Sequence, residues 1–200
     1  LKLPEDTINQ YYYSYKEHLS KLTQPNQHVT SHATPQANLS VQEIIDKIME
    51  NMLSNLDFDY GGFGIAPKFP MPDAMNLALK RFKKNNNKDI LIIARVTLDN
   101  MKGIFDNAEG GFYRYSVTQQ WNEPHYEKML ETNAGIILNY LQGFETIKND
   151  AYKDIAIKSL NYIKNNLSNE DGAFYGSQDA DEEYYRLSLE ERKKHGKPFI

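Results

Sequence analysis

Three glycine-aromatic signatures, Gly61-Gly62-Phe63, Gly110-Gly111-Phe112 and Gly172-Ala173-Phe174, divide the chain and limit what it can fold into more than any other feature. Their first glycines stand 49 and 62 residues apart, which suits a unit of two helices plus a loop and is too long for one helix and a turn. A glycine pair lets the backbone turn where a side chain would clash, and the phenylalanine buries beside it as an anchor. The second signature runs on into a short extended stretch, Phe112-Tyr113-Arg114-Tyr115-Ser116-Val117. Ordinary helix C-caps are the alternative reading of the same glycines.

The segments between the signatures read as helices. Ser40 with Glu43 three residues on forms a capping box, and Ile44, Ile45, Ile48 and Met52 follow as an apolar stripe. A second helix is expected from Asp73 to about Lys84, and a third from Asp89 to Lys102 with Gly103 as its cap. A fourth is expected to follow Pro124, carrying Leu130, Ala134, Ile137, Leu138, Leu141 and Phe144, and a fifth carries Tyr152, Ile155, Ala156, Leu160, Ile163 and Leu167. A last helical stretch opens at Ser188, boxed by Glu191, and ends near Gly196. These stripes read as core. The fold class is all-α, with helical hairpins joined by short extended glycine-aromatic loops. Such hairpins form a straight solenoid or an (α/α)6 toroid, and loops of this kind favour the toroid, where they ring a central cavity with the starts of the inner helices. Residues 40–200 would then be the first half of a toroid domain. Residues 1–39, with Tyr11-Tyr12-Tyr13 and a run rich in Gln, Asn, His, Thr and Pro, read as a linker or N-terminal arm. Its His18, His28 and His32 lack the spacing of metal ligands and read as solvated.

Charge and composition narrow the partners. A net charge of −4 and a pI near 5.8 argue against nucleic acid, because no broad basic surface is there to displace condensed counterions. The chain has no cysteine, so disulfides, thiolate metal sites and thiol nucleophiles are excluded from these 200 residues. No apolar run reaches the length of a membrane span, which points to a soluble, cytoplasmic chain without a membrane partner. The opening at Leu1 and the close at Lys197-Pro198-Phe199-Ile200 read as the ends of a fragment, one whose exposed inner surface would favour a dimer.

Polar residues gather just after the glycine loops. The densest group is Arg114-Tyr115-Ser116, Trp121 and Pro124-His125-Tyr126-Glu127-Lys128. With Pro124 in the first turn of a helix, His125 suits a general base and Glu127 an acid or orienting partner. Solvated first-turn charges, a loop-pinning histidine and a core Trp121 would satisfy the same residues. The two histidines of a metalloprotease, one turn apart, are missing, so no metal is expected. Asp179 and Asp181 suit an acid and base pair, or simply the acidic start of a helix. Lys68, held between prolines in Ala66-Pro67-Lys68-Phe69-Pro70-Met71-Pro72, is placed to meet a hydroxyl-rich or anionic ligand. Phe63, Phe112, Tyr113, Tyr115, Trp121 and Phe174 suit either a sugar-stacking surface or a packed loop layer.

Taken together, Gly61 to Pro70, Gly110 to Val117, Trp121, Pro124-His125-Tyr126-Glu127-Lys128-Met129-Leu130 and Asp179-Ala180-Asp181 resemble the thioredoxin-domain-containing family of spermatogenesis-associated protein 20 over about residues 40–185. The resemblance implies an N-terminal thioredoxin-like domain outside this chain, fused to a toroid of the six-hairpin glycosidase type. It further implies a relation to sugar epimerases and glycosidases. The expected catalytic residues are His125, Glu127, Asp179 and Asp181; Lys68, Arg114, Tyr115, Trp121 and Lys128 would bind a small-molecule sugar, with no cofactor. Asn107 and Glu109 replace the family's histidine and glycine, and Thr118 and Thr132 replace aspartates. Those two missing carboxylates weaken a hydrolase, which needs a carboxylate pair, more than an epimerase working through His125. A non-catalytic module presenting a client to the thioredoxin-like domain is the alternative, and an isoprenoid-protonating Asp179-x-Asp181 pair is a third reading.

Overall fold

The computed structural model describes residues 39–200, and all but the last residue of the expected N-terminal arm, with His18, His28 and His32, lies outside the described residues. Five long helices carry the fold: α1 (Val41–Ser54), α2 (Pro72–Asn85), α3 (Lys88–Asn100), α4 (Leu130–Ile147) and α5 (Asp150–Asn166). Two short ones follow, α6 (Glu182–Tyr185) and α7 (Leu189–Arg192). The glycine signatures lie between α1 and α2, between α3 and α4, and after α5. Tight turns close the opposite end, with Asn86 (φ 53) and Lys148 (φ 61) in the left-handed conformation that stops a helix. The chain therefore runs as helical hairpins with every glycine loop at one end.

Both capping boxes form. Ser40 and Ser188 accept from the backbone N–H of Glu43 and Glu191, whose carboxylates accept in return from the serine N–H. Helix α4 lies along α5 and packs on α2 and α3. Its Tyr140, fully buried, stacks on Phe112 at 5.3 Å, meets the edge of Tyr152 at 5.5 Å and donates its hydroxyl to the Leu98 carbonyl. One aromatic thus ties the second glycine loop to three helices.

Four expectations need correction. The fourth helix carries its expected residues but does not begin beside Pro124: Pro124–His125 form strand β2, paired antiparallel with β1 (Tyr115–Ser116), and α4 starts only at Leu130. Proline's fixed φ suits an edge strand as well as a first helical turn, and here Tyr115 and Ser116 offer the pairing partner. Gly103 sits inside a 3-10 turn, Met101–Ile104, that prolongs α3. The last helix ends at Arg192. The apolar stripes are only partly core, since Ile44, Ile48, Leu138, Leu141 and Leu160 are exposed on α1, α4 and α5.

Candidate functional site

The first two glycine loops are built to one plan around a buried ion pair. In loop 1 the Asp57 N–H donates to the Gly62 carbonyl and the Gly61 N–H to the Asp57 carbonyl; in loop 2 Asp106, Gly111 and Gly110 repeat both bonds. Lys68 Nζ donates to Asp57 Oδ2 at 2.6 Å and to the Gly61 carbonyl, and Lys128 Nζ donates to Asp106 Oδ2 at 2.7 Å and to the Gly110 carbonyl at 2.9 Å. Both lysines have no exposed surface. Gly61 (φ +68) and Gly110 (φ +86) are required here twice over, by the left-handed backbone and because an added Cβ would lie 2.5 Å from a carbonyl oxygen of α3 or α5. In the third loop Asn169 takes the aspartate's place and accepts from the Ala173 N–H.

Each aspartate also receives a group from further along the chain: Gln119, in the second loop, donates to Asp57, and Arg192, at the end of α7, donates to Asp106. Around Lys128 the rings of Tyr113, Tyr162 and Tyr185 approach to 5.1, 4.1 and 4.9 Å. Burial pushes the Lys128 ammonium down to about 8, opposed by the charge of Asp106. Burial also drives the Asp106 carboxyl upward, but the Lys128 charge and the Arg192 hydrogen bond outweigh it and hold the group below the ordinary carboxylate range. Asp57 behaves alike, its burial outweighed by hydrogen bonds from Lys68 and Gln119.

Beside the two buried ion pairs, short strands from successive loops join edge to edge. Lys68 bridges Ser116, Tyr115 pairs with His125, and β3 (Lys128–Met129) pairs with β4 (Ser177–Gln178). Side chains alternate across such a ladder. Lys68, Ser116, Lys128 and Gln178 point inward and are buried, while Phe69, Tyr115, Val117, His125 and Glu127 keep exposed surface. On this outer face Phe69 stacks on Tyr115 at 4.7 Å and Tyr115 on His125 at 4.9 Å, with an interplanar angle of 11° for the second pair. Beside the row, Arg114 donates to Glu127 at 2.7 Å. The Nδ1 atom of His125 is buried without a hydrogen-bond partner.

The structure thus brings His125, Tyr115, Arg114 and Glu127 together. Glu127 and Asp179 lie just beyond the last pair of the β3–β4 ladder, Lys128 with Gln178, and the Asp179 N–H donates to the Phe199 carbonyl. Asp179 is exposed and accepts from the Ala180 N–H, whereas Asp181 caps α6 by accepting from the Tyr184 N–H. Lys68, Trp121 and Lys128, expected to bind a substrate, are fully buried and offer no exposed surface here. Trp121 instead donates its indole N–H to the Tyr60 carbonyl and fills the space over Gly62. Sequence reasoning missed Asp57, Asp106 and Phe69. The aspartates carried a signal, each standing four residues before the first glycine of its loop.

Of the positions that depart from the family pattern, Glu109 accepts from Tyr184 and Arg192, and Thr118 bonds Ser116 and Asn122. A shallow, open depression of about 660 Å³ at the third loop, lined by Asn166, Asn169, Asp171 and Tyr175 among others, contains none of the expected site residues. Among the described residues no cluster of His, Asp and Glu could hold a metal ion.

No family model matches the chain. Spermatogenesis-associated protein 20 of Rattus norvegicus and of Homo sapiens are each 30% identical to it over 182 residues, covering 84% of this chain and 23% of the relative. The chain is homologous to the spermatogenesis-associated protein 20 family. It spans about a quarter of the length of these relatives. A Caenorhabditis elegans protein named only as uncharacterized is 32% identical over 148 residues, 70% of this chain and 20% of that one. Among solved structures, a sugar epimerase from a ruminal bacterium superposes with a TM-score of 0.61 at 16% identity, covering 72% of this chain and 41% of the epimerase. Cellobiose 2-epimerase from Spirochaeta thermophila gives 0.61 at 16% identity over 88% and 41% of the two chains. Likeness at that identity speaks for the fold, and this chain folds as part of an (α/α)6 toroid.

Proposed function

We propose that this segment is the first half of a carbohydrate-processing toroid domain, acting on a sugar by acid-base chemistry at the outer face of its loop ladder. One observation carries the reading. On a fold shared with sugar epimerases, His125 stacks on Tyr115 beside the Arg114–Glu127 ion pair, on a face open to solvent. In an epimerisation the reducing ring of the sugar first opens to its aldehyde, His125 removes the proton from the carbon next to that carbonyl, a proton is returned to the opposite side of the carbon, and the ring closes again. Glu127, or Asp179 across the ladder, is the second proton carrier, and Arg114 holds the carbonyl or hydroxyl oxygen. A fused thioredoxin-like domain and a cytoplasmic location go with the reading; no helix among the described residues is long and apolar enough to cross a membrane.

The test uses the full-length protein in deuterated water with cellobiose or D-mannose. Incorporation of deuterium at C2, lost in His125→Ala, supports the reading. No incorporation from either sugar overturns the epimerase form of it. A second reading, a non-catalytic binding module, is favoured by the engagement of the carboxylates: Glu127 is paired with Arg114, and Asp181 serves as a helix cap. That reading expects sugar or client binding without exchange.

A further inference from the structure

Phe69 belongs to none of the groups assigned so far, yet it ends the aromatic row. Tyr115 covers one side of its ring, and 43% of the residue remains open to solvent. The residues on the other side of the Lys68–Ser116 bridge are apolar as well: Pro67 precedes Lys68, and Val117, which follows Ser116, is 53% exposed and donates its N–H to the Glu123 carbonyl. Exposed aliphatic and aromatic side chains therefore flank the buried Lys68–Ser116 pair. The backbone beneath them is fixed, because Lys68, immediately before Phe69, points inward and is held by Asp57 and the Gly61 carbonyl.

Resting on the sugar reading above, we propose that Phe69 is the ligand-stacking wall of the site, that it takes the apolar face of a cyclic sugar, and that Lys68 is its positioning residue. An aromatic ring offers a planar apolar surface on which the axial C–H groups of a pyranose can lie, while its hydroxyls point outward to groups such as Arg114 and Glu127. An open-chain polyol has no such face. Lys68 touches no ligand. It sets the direction of the strand, so that Phe69 and Tyr115 meet as a stack with ring centroids 4.7 Å apart.

The test measures binding of cellobiose, D-mannose and the open-chain sorbitol to the full-length protein by calorimetry, with melting temperature recorded for every variant. Phe69→Ala is expected to keep the wild-type melting temperature and bind both cyclic sugars about tenfold more weakly, and Phe69→Tyr to restore them. Lys68→Met paired with Asp57→Asn removes both buried charges together, so it is expected to fold while still losing affinity. Sorbitol is expected not to bind. Wild-type affinity in Phe69→Ala with loss in His125→Ala would overturn this inference and leave the sugar reading standing. Sorbitol binding as tightly as the cyclic sugars would also overturn it. Failure of the wild type to bind any of the three would overturn both.

Discussion

An ammonium with no exposed surface must be neutralised where it stands, and for Lys128 that is done by Asp106, the Gly110 carbonyl and three tyrosine rings. Removing one partner of a buried pair leaves the other uncompensated. Lys128→Met is therefore expected to cost about 3 kcal/mol of stability, read from denaturant or thermal unfolding, with Arg192 limiting the loss by its hold on Asp106. The pH dependence has two arms. Folded Lys128 gives up its proton near 8 and the unfolded chain near 10.5, so the folded state binds fewer protons in that window and stability rises with pH through it. Asp57 and Asp106 are held below their ordinary 3.8, so their contribution is present above that value and lost as pH falls below it. Melting temperatures recorded across the pH range should show both arms, and Lys128→Met should flatten the alkaline one. Little of this was legible beforehand. The lysines stand 7 and 18 residues after the first glycines of their loops, an unequal spacing that hid their common role. Their ion pairs form only when the loop closes.

At the scale of elements, the glycine signatures were legible because they encode a local requirement. Gly110→Ala should destabilise by about 2–3 kcal/mol, since both the positive φ and the close approach to the Lys158 carbonyl oppose a side chain. Gly172→Ala should cost only about 1 kcal/mol, for Gly172 shares the positive φ, but nothing lies within 4 Å of its added Cβ. Equal losses measured by chemical denaturation would contradict the close-packing account. Helix starts were legible where a side chain caps its own turn: Ser40→Ala should lower stability by about 1 kcal/mol. The stretch after Pro124 was misread because its structure is decided by residues outside it. Tyr115 and Ser116 pair with it, and a single-chain helical signal carries no trace of that partner. The same pairing moved His125 from a helix start to a strand, left Glu127 between β2 and β3, and thereby set the geometry of the candidate site.

Across the whole molecule, the hairpin repeat fixes where apolar surface is left uncovered. Val41, Ile44 and Ile48 are exposed on α1, and Leu138, Leu141, Ile157 and Leu160 on α4 and α5. Scattered exposed apolar residues are ordinary, but stripes along helices are not. The 200-residue chain is expected to self-associate in sedimentation velocity, and Leu138→Glu with Leu160→Glu to return it to a monomer. A wild type that stays monomeric at high concentration would contradict this. The hairpin repeat could be reached from signature spacing, and the toroid class from the glycine-aromatic loops and the family resemblance, whereas the position of the site within it needed the ladder register. The central claim, that the outer face of the ladder takes a sugar, is tested most directly by ligand-induced thermal stabilisation of the full-length protein across mono- and disaccharides, wild type beside His125→Ala. A rise in melting temperature for one class of sugar that shrinks in the variant is the expected result, and a well-folded wild type that no sugar stabilises would contradict it.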